Sequence, residues 1–444
     1  MISIQYKEIG RFTIPCITEL MLFSMISVVN LIMVGRLGPQ AISAVGLTSQ
    51  PINISLAVFQ SFNIGATALI ARYVGAKNYI KAKSVIIQTL QISILMGVTL
   101  TIPVFVFARQ IVLFMGANKD SIEGATIYMK FMAIGILFQI IPLAISSLFR
   151  GAGDSKNPMI INIVANLINV ILGYLLIFGN LGFPRLGILG AGIAATSAKV
   201  VQTVIAIILL FVTKLDIRLD QNISLGFDKK IIGKIINIGS ASAAEQIILR
   251  VGFFLYTKTI ANLGTIAFAA HQVCLNISNL STNFGHALGM ASTSFTGRLL
   301  GAKEKKLTIE YIVKLILIGL GISGIISLFF LFKGQAIASF YTDDTDVIEL
   351  LVPVIIILAI INPAQNSLLV LSGALKGAGE TRWPLLTSLI GLIFIRLPLV
   401  YLFIKVFNLG LYGAWIATVI EKYISLIILR FAFRKGKWRD REII

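Results

Sequence analysis

The chain has 444 residues, of which 57% are hydrophobic and only 13% are charged, and its mean hydropathy is +0.91. A soluble domain carries about 25% charged residues, so this composition excludes an ordinary soluble protein. The net charge of +19 would suggest a nucleic-acid partner on a soluble protein, but aromatic residues do not interleave with the basic clusters, so we expect no nucleic-acid binding.

Apolar runs of about twenty residues recur along the whole chain, and each is typical of a membrane-spanning helix. The first run lacks the small-residue cleavage site of a secretory signal, so we expect it to remain as a span. The sequence predicts twelve spans, numbered here in chain order, at 12–34, 44–71, 85–108, 124–148, 159–181, 189–213, 235–260, 266–296, 311–332, 347–373, 385–407 and 411–433.

The cysteines and histidines give no sign of a metal centre. Cys16 and Cys274 lie in apolar runs, which predicts neither a disulfide framework nor a metal site. His271 and His286 lie fifteen residues apart with no nearby thiol or carboxylate, so zinc is not expected. We expect no cofactor.

Basic residues are distributed unevenly between alternate loops. With the N-terminus inside, the inner segments carry 25 of the 38 lysines and arginines, and the outer loops carry six. Basic residues mark cytoplasmic loops, so both termini are predicted to lie in the cytoplasm of a cell-membrane protein.

An internal repeat organises the chain. One constant shift places Glu19 on Glu245 and the loop RGAGDSKNP (150–158) on KGAGETRWP (376–384), and a slightly shorter shift then places Gly190 on Gly413. Each copy holds six predicted spans, and an even number makes the two copies parallel repeats. We therefore predict an N-lobe at 1–213, a basic cytoplasmic linker at 214–234 and a C-lobe at 235–444.

Glu245 lies about ten residues into span 7. A charge at that depth costs roughly 2.5–3.5 kcal/mol on insertion scales, so it is expected to face water, a partner or a ligand. One interpretation is a binding site for a cation; the other is a structural ion pair or a protonated carboxyl within the bundle. The face of span 7 that carries Glu245 also carries Tyr256.

Other polar side chains lie within the predicted spans. Glu19 shares a face of span 1 with Asn30, because eleven residues are close to three helical turns. Amides more often bridge helices than bind ligands, and both roles stay open for the candidates. These candidates are Asn169 in span 5, Gln272 and Asn276 in span 8, and Gln365 in span 10.

Glu421 and Lys422 are adjacent in the last span, so they point about 100° apart on a helix. Each is therefore expected to need another partner or a wet cavity. The two Gly-Ala-Gly loops lack the Walker spacing that ends in Gly-Lys-Ser/Thr, so they do not predict ATP binding. They are interpreted as tight cytoplasmic turns that help gating or packing.

In four features taken together, the chain resembles the multidrug and toxic compound extrusion (MATE) transporters over nearly its full length. They are the two six-helix halves, NLIMVGRLG after span 1, LGTIAFAAHQ at the start of span 8, and the paired Gly-Ala-Gly loops. The resemblance implies an all-α polytopic protein with twelve helices in a V-shaped, two-lobe bundle. It also implies export of organic, often cationic, compounds in exchange for Na⁺ or H⁺.

The resemblance carries over to residues only in part. Glu245 matches the acid that family members often have on the seventh helix, and Asn169 matches an Asn on the fifth. Three positions that are acidic in many members are neutral here, namely Asn30, Gly173 and Gln365. The hypothesis therefore concentrates on Glu245, with its repeat partner Glu19 second. Na⁺ at Glu245 is the one metal ion expected.

The predicted mechanism is exchange of a coupling cation for a cationic substrate at Glu245, with alternating access between the two halves. We expect a monomer in the lipid bilayer whose partners are a small organic substrate and the coupling cation. The main alternative is a flippase for a lipid-linked oligosaccharide or related precursor, which Arg250 and Arg396 keep open. The segment after span 2 lacks the basic signature of major-facilitator exporters. A membrane enzyme would need a nucleophile, a metal or paired acids near an interface, and the sequence indicates none, so we expect no enzyme.

Overall fold

The computed structural model describes residues 2–116, 122–213, 215, 217–218 and 226–443. Within these ranges the secondary structure is helical, with no strand. Residues 214, 216 and 219–225 of the predicted linker lie outside the described ranges, as does Lys119 of a predicted outer loop. The predicted boundaries of the lobes and linker stay predictions.

The described residues of the first half of the chain form six long helices and one short one. They are α1 (Ile2–Gly35), α2 (Pro39–Gly75), α3 (Tyr79–Val106), α4 (Ala108–Phe114), α5 (Ile122–Gly151), α6 (Lys156–Phe178) and α7 (Ile188–Val212). A single 3₁₀ turn, Asn180–Gly182, follows α6. The short α4 follows α3 directly after the break at Phe107.

The second half repeats the order of long helices. It contains α8 (Lys229–Ala261), α9 (Thr265–Gly301), α10 (Lys305–Tyr341), α11 (Thr345–Gly377), α12 (Arg382–Ser388), α13 (Leu397–Tyr401) and α14 (Gly410–Arg434). Residues 389–396 and 402–406 are π-helical, so Arg382–Val406 forms one helical span with α12 and α13 inside it. A 3₁₀ turn, Lys437–Arg439, lies in the tail.

Ten helices of the described chain are long and apolar enough to cross a membrane. The two remaining long helices, α9 and α14, are not among these ten. Helices extend beyond the predicted spans, because polar residues at a membrane surface continue the backbone hydrogen bonding of the apolar segment. The prediction of an all-α, multi-pass membrane protein with two six-helix repeats is confirmed.

The chain divides into two compact units, which are described separately. The N-terminal unit is Ile14–Ile236, and the C-terminal unit combines the residues up to Thr13 with those from Asn237 onward. The start of α1 packs within the C-terminal unit, where the Phe12 and Phe295 ring centroids lie 5.6 Å apart and Tyr311 donates to Glu8 at 2.5 Å.

The duplication extends to unusual backbone conformations. Lys77 and its repeat equivalent Lys303 both adopt positive φ, at 56° and 64°. Thr67 donates to the Ser147 carbonyl at 3.2 Å, and in the second copy Thr293 donates to the Gly373 carbonyl at 3.0 Å. Such matching at equivalent positions shows that the repeated residues build the same local structure twice.

Each unit has its own apolar core. Buried side chains of α2, α3 and α5 form the core of the N-terminal unit, with Phe59, Met129 and Ile140 among them. Lipid tails are as apolar as these side chains, so close packing rather than exclusion of water holds such helices together. In the C-terminal unit α9 and α11 approach so closely that a Cβ on Gly373 would lie 2.2 Å from the Gly289 carbonyl oxygen.

Candidate functional site

Glu245 in α8 forms an ion pair with Lys376 in the last turn of α11. The ammonium Nζ donates to Oε1 at 3.0 Å and lies 2.9 Å from Oε2. The side chains are only 7% and 15% exposed, respectively, so the pair is largely shielded from solvent. The charge of Glu245 is therefore balanced by a base within its own unit.

Glu19 in α1 has the corresponding partner in the N-terminal unit. Nη1 of Arg150, in the last turn of α5, lies 3.2 Å from both carboxylate oxygens. Asn162 in α6 donates to Oε1 at 2.8 Å, and Gln202 in α7 donates to the Asn162 side-chain oxygen at 2.7 Å. A polar network therefore joins α1, α5, α6 and α7.

These two ion pairs are repeat equivalents. The shift that places Glu19 on Glu245 also places Arg150 on Lys376. Sequence reasoning assigned both bases to cytoplasmic turns and did not pair them with the carboxylates. The available signal was the repeat itself, because it matches acid with acid and base with base.

The Gly-Ala-Gly sequence after each base explains why the base can reach inward. A Cβ on Gly151 would lie 2.2 Å from Ile70 Cγ2, and one on Gly377 would lie 2.3 Å from the Thr293 carbonyl oxygen. Glycine thus lets the ends of α5 and α11 lie directly against α2 and α9. Gly153 and Gly379 then turn the chain with φ of 95° and 80°, which favours glycine.

A third interior carboxylate, Glu421 in α14, has several partners. Arg396 Nη2 donates to Oε2 at 2.6 Å, Lys422 Nζ lies 3.4 Å from the same oxygen, and Ser425 donates to Oε1 at 3.1 Å. Contrary to the prediction that Glu421 and Lys422 point apart, the flexible lysine side chain spans the angle between them. The prediction that Glu421 needs a further partner is met by Arg396, which lies at the end of the π-helical residues 389–396.

Tyr256, a predicted cation-binding residue, is 2% exposed and lies beside this cluster. The guanidinium carbon of Arg396 is 5.3 Å from the centroid of its ring. Thr418 donates to the tyrosine hydroxyl at 3.3 Å, and that hydroxyl donates to the Ala414 carbonyl at 3.4 Å. The ring therefore already faces a cation of the protein itself.

The predicted amide residues are dispersed. Asn30 and Asn169 are partly exposed in the N-terminal unit, while Gln272 and Asn276 are exposed on α9, where Asn276 donates to the Gln272 carbonyl at 3.0 Å. Gln365 is partly buried, and its Oε1 has no hydrogen-bond partner among the described residues. Within the described chain none of the five hydrogen-bonds to Glu19 or Glu245, so their assignment to a binding site stays a prediction.

A cavity of about 520 Å³ lies between α1 and α6 of the N-terminal unit. Most of the lining is apolar, including Ile32, Val170 and Phe178, while Arg36 and Tyr174 supply polar groups. Its volume is in the range of pockets that hold small organic ligands.

Comparison with known proteins gives consistent matches along the chain. The profile of the MatE family matches residues 15–175 and 241–402. A relative from Thermotoga maritima named "Probable multidrug resistance protein NorM" is 26% identical over 445 residues, which cover 99% of this chain and 94% of the relative. The "Uncharacterized transporter YisQ" of Bacillus subtilis is 23% identical, and the match covers 96% of this chain and 93% of the relative.

Solved structures also resemble this one. A structure described as "Crystal structure of MATE in the bent conformation" has a TM-score of 0.90 and 23% identity, covering 98% of this chain and 96% of the other. An "Outward-facing conformation of a multidrug resistance MATE family transporter of the MOP superfamily" has a TM-score of 0.90 and 22% identity, covering 98% and 97%. At these identities the likeness shows the fold alone.

Proposed function

The chain belongs to the MatE family, and from this membership we propose that it is a secondary active transporter that exports organic compounds in exchange for H⁺ or Na⁺. Relatives across most of its length are named as multidrug resistance proteins, which supports multidrug efflux. A duplicated bundle of membrane helices is the architecture in which parallel repeats alternate access to a shared substrate path.

The observation that carries the coupling proposal is the repeated ion pair. Glu245 can be neutralised either by Lys376, as in the structure, or by a coupling cation. When H⁺ or Na⁺ binds the carboxylate, Lys376 loses its partner, and the link between α8 and α11 is broken. A ligand that favours one of two arrangements shifts the population toward it, so the pair provides an element that an ion gradient can drive.

We propose an organic cation as the substrate. Such a compound carries charge of the same sign as the coupling ion, so their exchange balances charge. The apolar cavity between α1 and α6 is of suitable size for the hydrocarbon part of such a compound.

Export of drugs is favoured over movement of a lipid-linked phosphate. Phosphate recognition would need a broad basic cavity, but Arg396 and Lys422 both contact Glu421. Arg250 is exposed on α8. The excess of basic residues in alternate loops supports a cell-membrane protein with both termini in the cytoplasm. We propose that a single chain is the transporting unit.

Transport in proteoliposomes tests the proposal. Purified protein is reconstituted, and uptake of the fluorescent cation ethidium is measured with a Na⁺ gradient, a pH gradient or neither. We expect one of the two gradients to drive uptake and Glu245→Gln to reduce that uptake at least tenfold. Glu123→Gln, which changes an exposed carboxylate of α5, serves as the matched control. Undiminished gradient-driven uptake by Glu245→Gln would refute coupling at this residue, and no uptake under either gradient would refute the transport proposal.

A further inference from the structure

Lys199 is the single titratable side chain of α7 and lies near the middle of that membrane-spanning helix. It is partly buried, and its Nζ lies 3.9 Å from the sulfur of Met132 in α5. In the described part of the chain no carboxylate lies within 4.0 Å of this ammonium. An ionisable side chain at such a depth marks a functional site by default.

The backbone of α5 leaves room for this lysine. A Cβ on Gly135 would lie 3.0 Å from Cδ and 3.1 Å from Nζ of Lys199. The ammonium therefore lies against bare helix backbone, at a position where most other residues would displace it. Gly135 and Met132 together define a site for the amine on the face of α5.

The second repeat contains the same lysine with a partner. The shift that matches Gly190 with Gly413 also places Lys199 on Lys422, and Lys422 Nζ lies 3.4 Å from Glu421. The position equivalent to Glu421 in the first repeat is Ala198. The N-terminal unit thus keeps the base but lacks the acid that neutralises it in the C-terminal unit.

The helices packed against α7 are α5 and α6. Their titratable side chains are Glu123, Tyr128, Lys130 and Arg150 on α5 and Lys156 and Tyr174 on α6. Of these, Tyr128 shares the Met132 face, since it lies one turn earlier in α5. Within the described residues none of the six hydrogen-bonds to or ion-pairs with Lys199. The polar network around Glu19 reaches α7 at Gln202, one turn beyond Lys199. The Glu19 carboxylate already forms an ion pair with Arg150.

We propose that Lys199 is the proton-carrying group of the N-terminal unit: its amine is protonated when that unit holds no substrate, and the proton passes to water when an organic cation binds there. This inference rests on the proposed transport function and assigns H⁺ as the coupling ion. A lysine amine can be charged or neutral in a protein interior, whereas the guanidinium of Arg150 stays charged. Exchange of one proton for one organic cation leaves the charge of the unit unchanged.

The proposal predicts a specific pH dependence. If binding of one cation releases one proton, affinity for the cation increases about tenfold per pH unit while Lys199 is protonated in the free protein. Lys199→Arg keeps a permanent charge and is expected to bind the cation at least tenfold more weakly at every pH. Lys199→Met removes the charge and is expected to bind without that pH dependence.

The experiment uses the full-length protein in detergent and weak buffer, with a pH-indicator dye and ethidium as the probe. Wild type is expected to release up to one proton per bound ethidium, whereas both Lys199 variants release none. Lys130→Met, which removes an exposed lysine of the neighbouring α5, is expected to release protons as wild type does. Thermal unfolding of each variant establishes that it is folded, and Lys199→Arg preserves the charge if Lys199→Met does not fold.

Two outcomes would overturn the assignment. Proton release that persists in folded Lys199→Arg or Lys199→Met would show that another group carries the proton. Ethidium binding to wild type without proton release would show that no proton is exchanged for the cation. Proteoliposome uptake separates the two proposals. If a pH gradient drives ethidium uptake equally in wild type and Lys199→Met, the role of Lys199 fails while the transport function stands. If wild type moves no ethidium under either gradient, the transport function itself fails.

Discussion

The ammonium of Lys376 lies 2.9 Å from a carboxylate oxygen of Glu245, although the two residues are 131 positions apart in the chain. Both side chains are largely buried. Removing one member of a buried ion pair leaves an uncompensated charge, which destabilises a protein by about 3–5 kcal/mol. The two side chains are therefore expected to affect stability as a unit.

We predict that Lys376→Met destabilises the protein by about 3 kcal/mol, because Glu245 is left unpaired. The double variant Glu245→Gln, Lys376→Met is expected to be more stable than Lys376→Met alone, since no buried charge remains. Thermal unfolding in detergent measures both of these and Glu245→Gln alone. If the two substitutions simply add, the ion pair does not act as a unit.

The first repeat offers a test of the equivalence. Nη1 of Arg150 lies 3.2 Å from both carboxylate oxygens of Glu19. We therefore expect Arg150→Lys to retain thermal stability and transport within about threefold, because lysine supplies one charged nitrogen at the equivalent position 376.

Arg150→Met is the contrasting variant and is expected to lose about 3 kcal/mol of stability. Equal loss in Arg150→Lys and Arg150→Met would show that the shape of arginine, and not its charge, is required.

The close helix contact beside Lys376 can be tested with glycine. A methyl group on Gly377 would lie 2.3 Å from the Thr293 carbonyl oxygen, which is fixed backbone. We predict that Gly377→Ala destabilises the C-terminal unit by about 1–3 kcal/mol through overpacking. Gly324→Ala in α10 is the matched control, since no described residue has an atom within 4 Å of its Cβ position. Equal melting temperatures of the two variants would contradict the contact.

Much of the architecture could be predicted from the sequence. Apolar runs indicate the spans, and the shift that matches Glu19 with Glu245 indicates the two repeats. The partner of Glu245 could not be found in this way, because it depends on how far Lys376 reaches back from the last turn of its helix. Pairing acid and base under the same shift would have suggested it.

Lys422 and Lys199 show why contacts of interior charges cannot be predicted from helix positions alone. The angle between adjacent helix positions suggested that Glu421 and Lys422 point apart, but a lysine has enough rotatable bonds to bring its nitrogen back to its neighbour. The importance of Lys199 cannot be seen in the sequence of α7 alone. It comes from the space at Gly135 and from the lack of a nearby carboxylate among the described residues.

The C-terminal tail gives a prediction that depends on pH. Trp438 is 1% exposed and stacks on Phe433 with ring centroids 4.8 Å apart, so the tail is packed against the C-terminal unit. Nearby, Lys305 Nζ donates to Asp440 at 2.5 Å, and this ammonium lowers the pKa of the Asp440 carboxyl.

Because the pKa of Asp440 is lowered in the packed tail, its contribution is fully present above the ordinary carboxyl pKa of about 4 and is lost as the pH falls through the lowered value. We expect a spin label at Glu442→Cys to be immobile at pH 7 and to become mobile below pH of about 4. Lys305→Met removes the cause of the shift, so the midpoint of this transition should move upward toward the ordinary carboxyl range. Electron paramagnetic resonance line shapes across the titration measure it, with Asp440→Asn as the variant that cannot titrate at this position. An unchanged midpoint in Lys305→Met would show that another carboxylate controls the release of the tail.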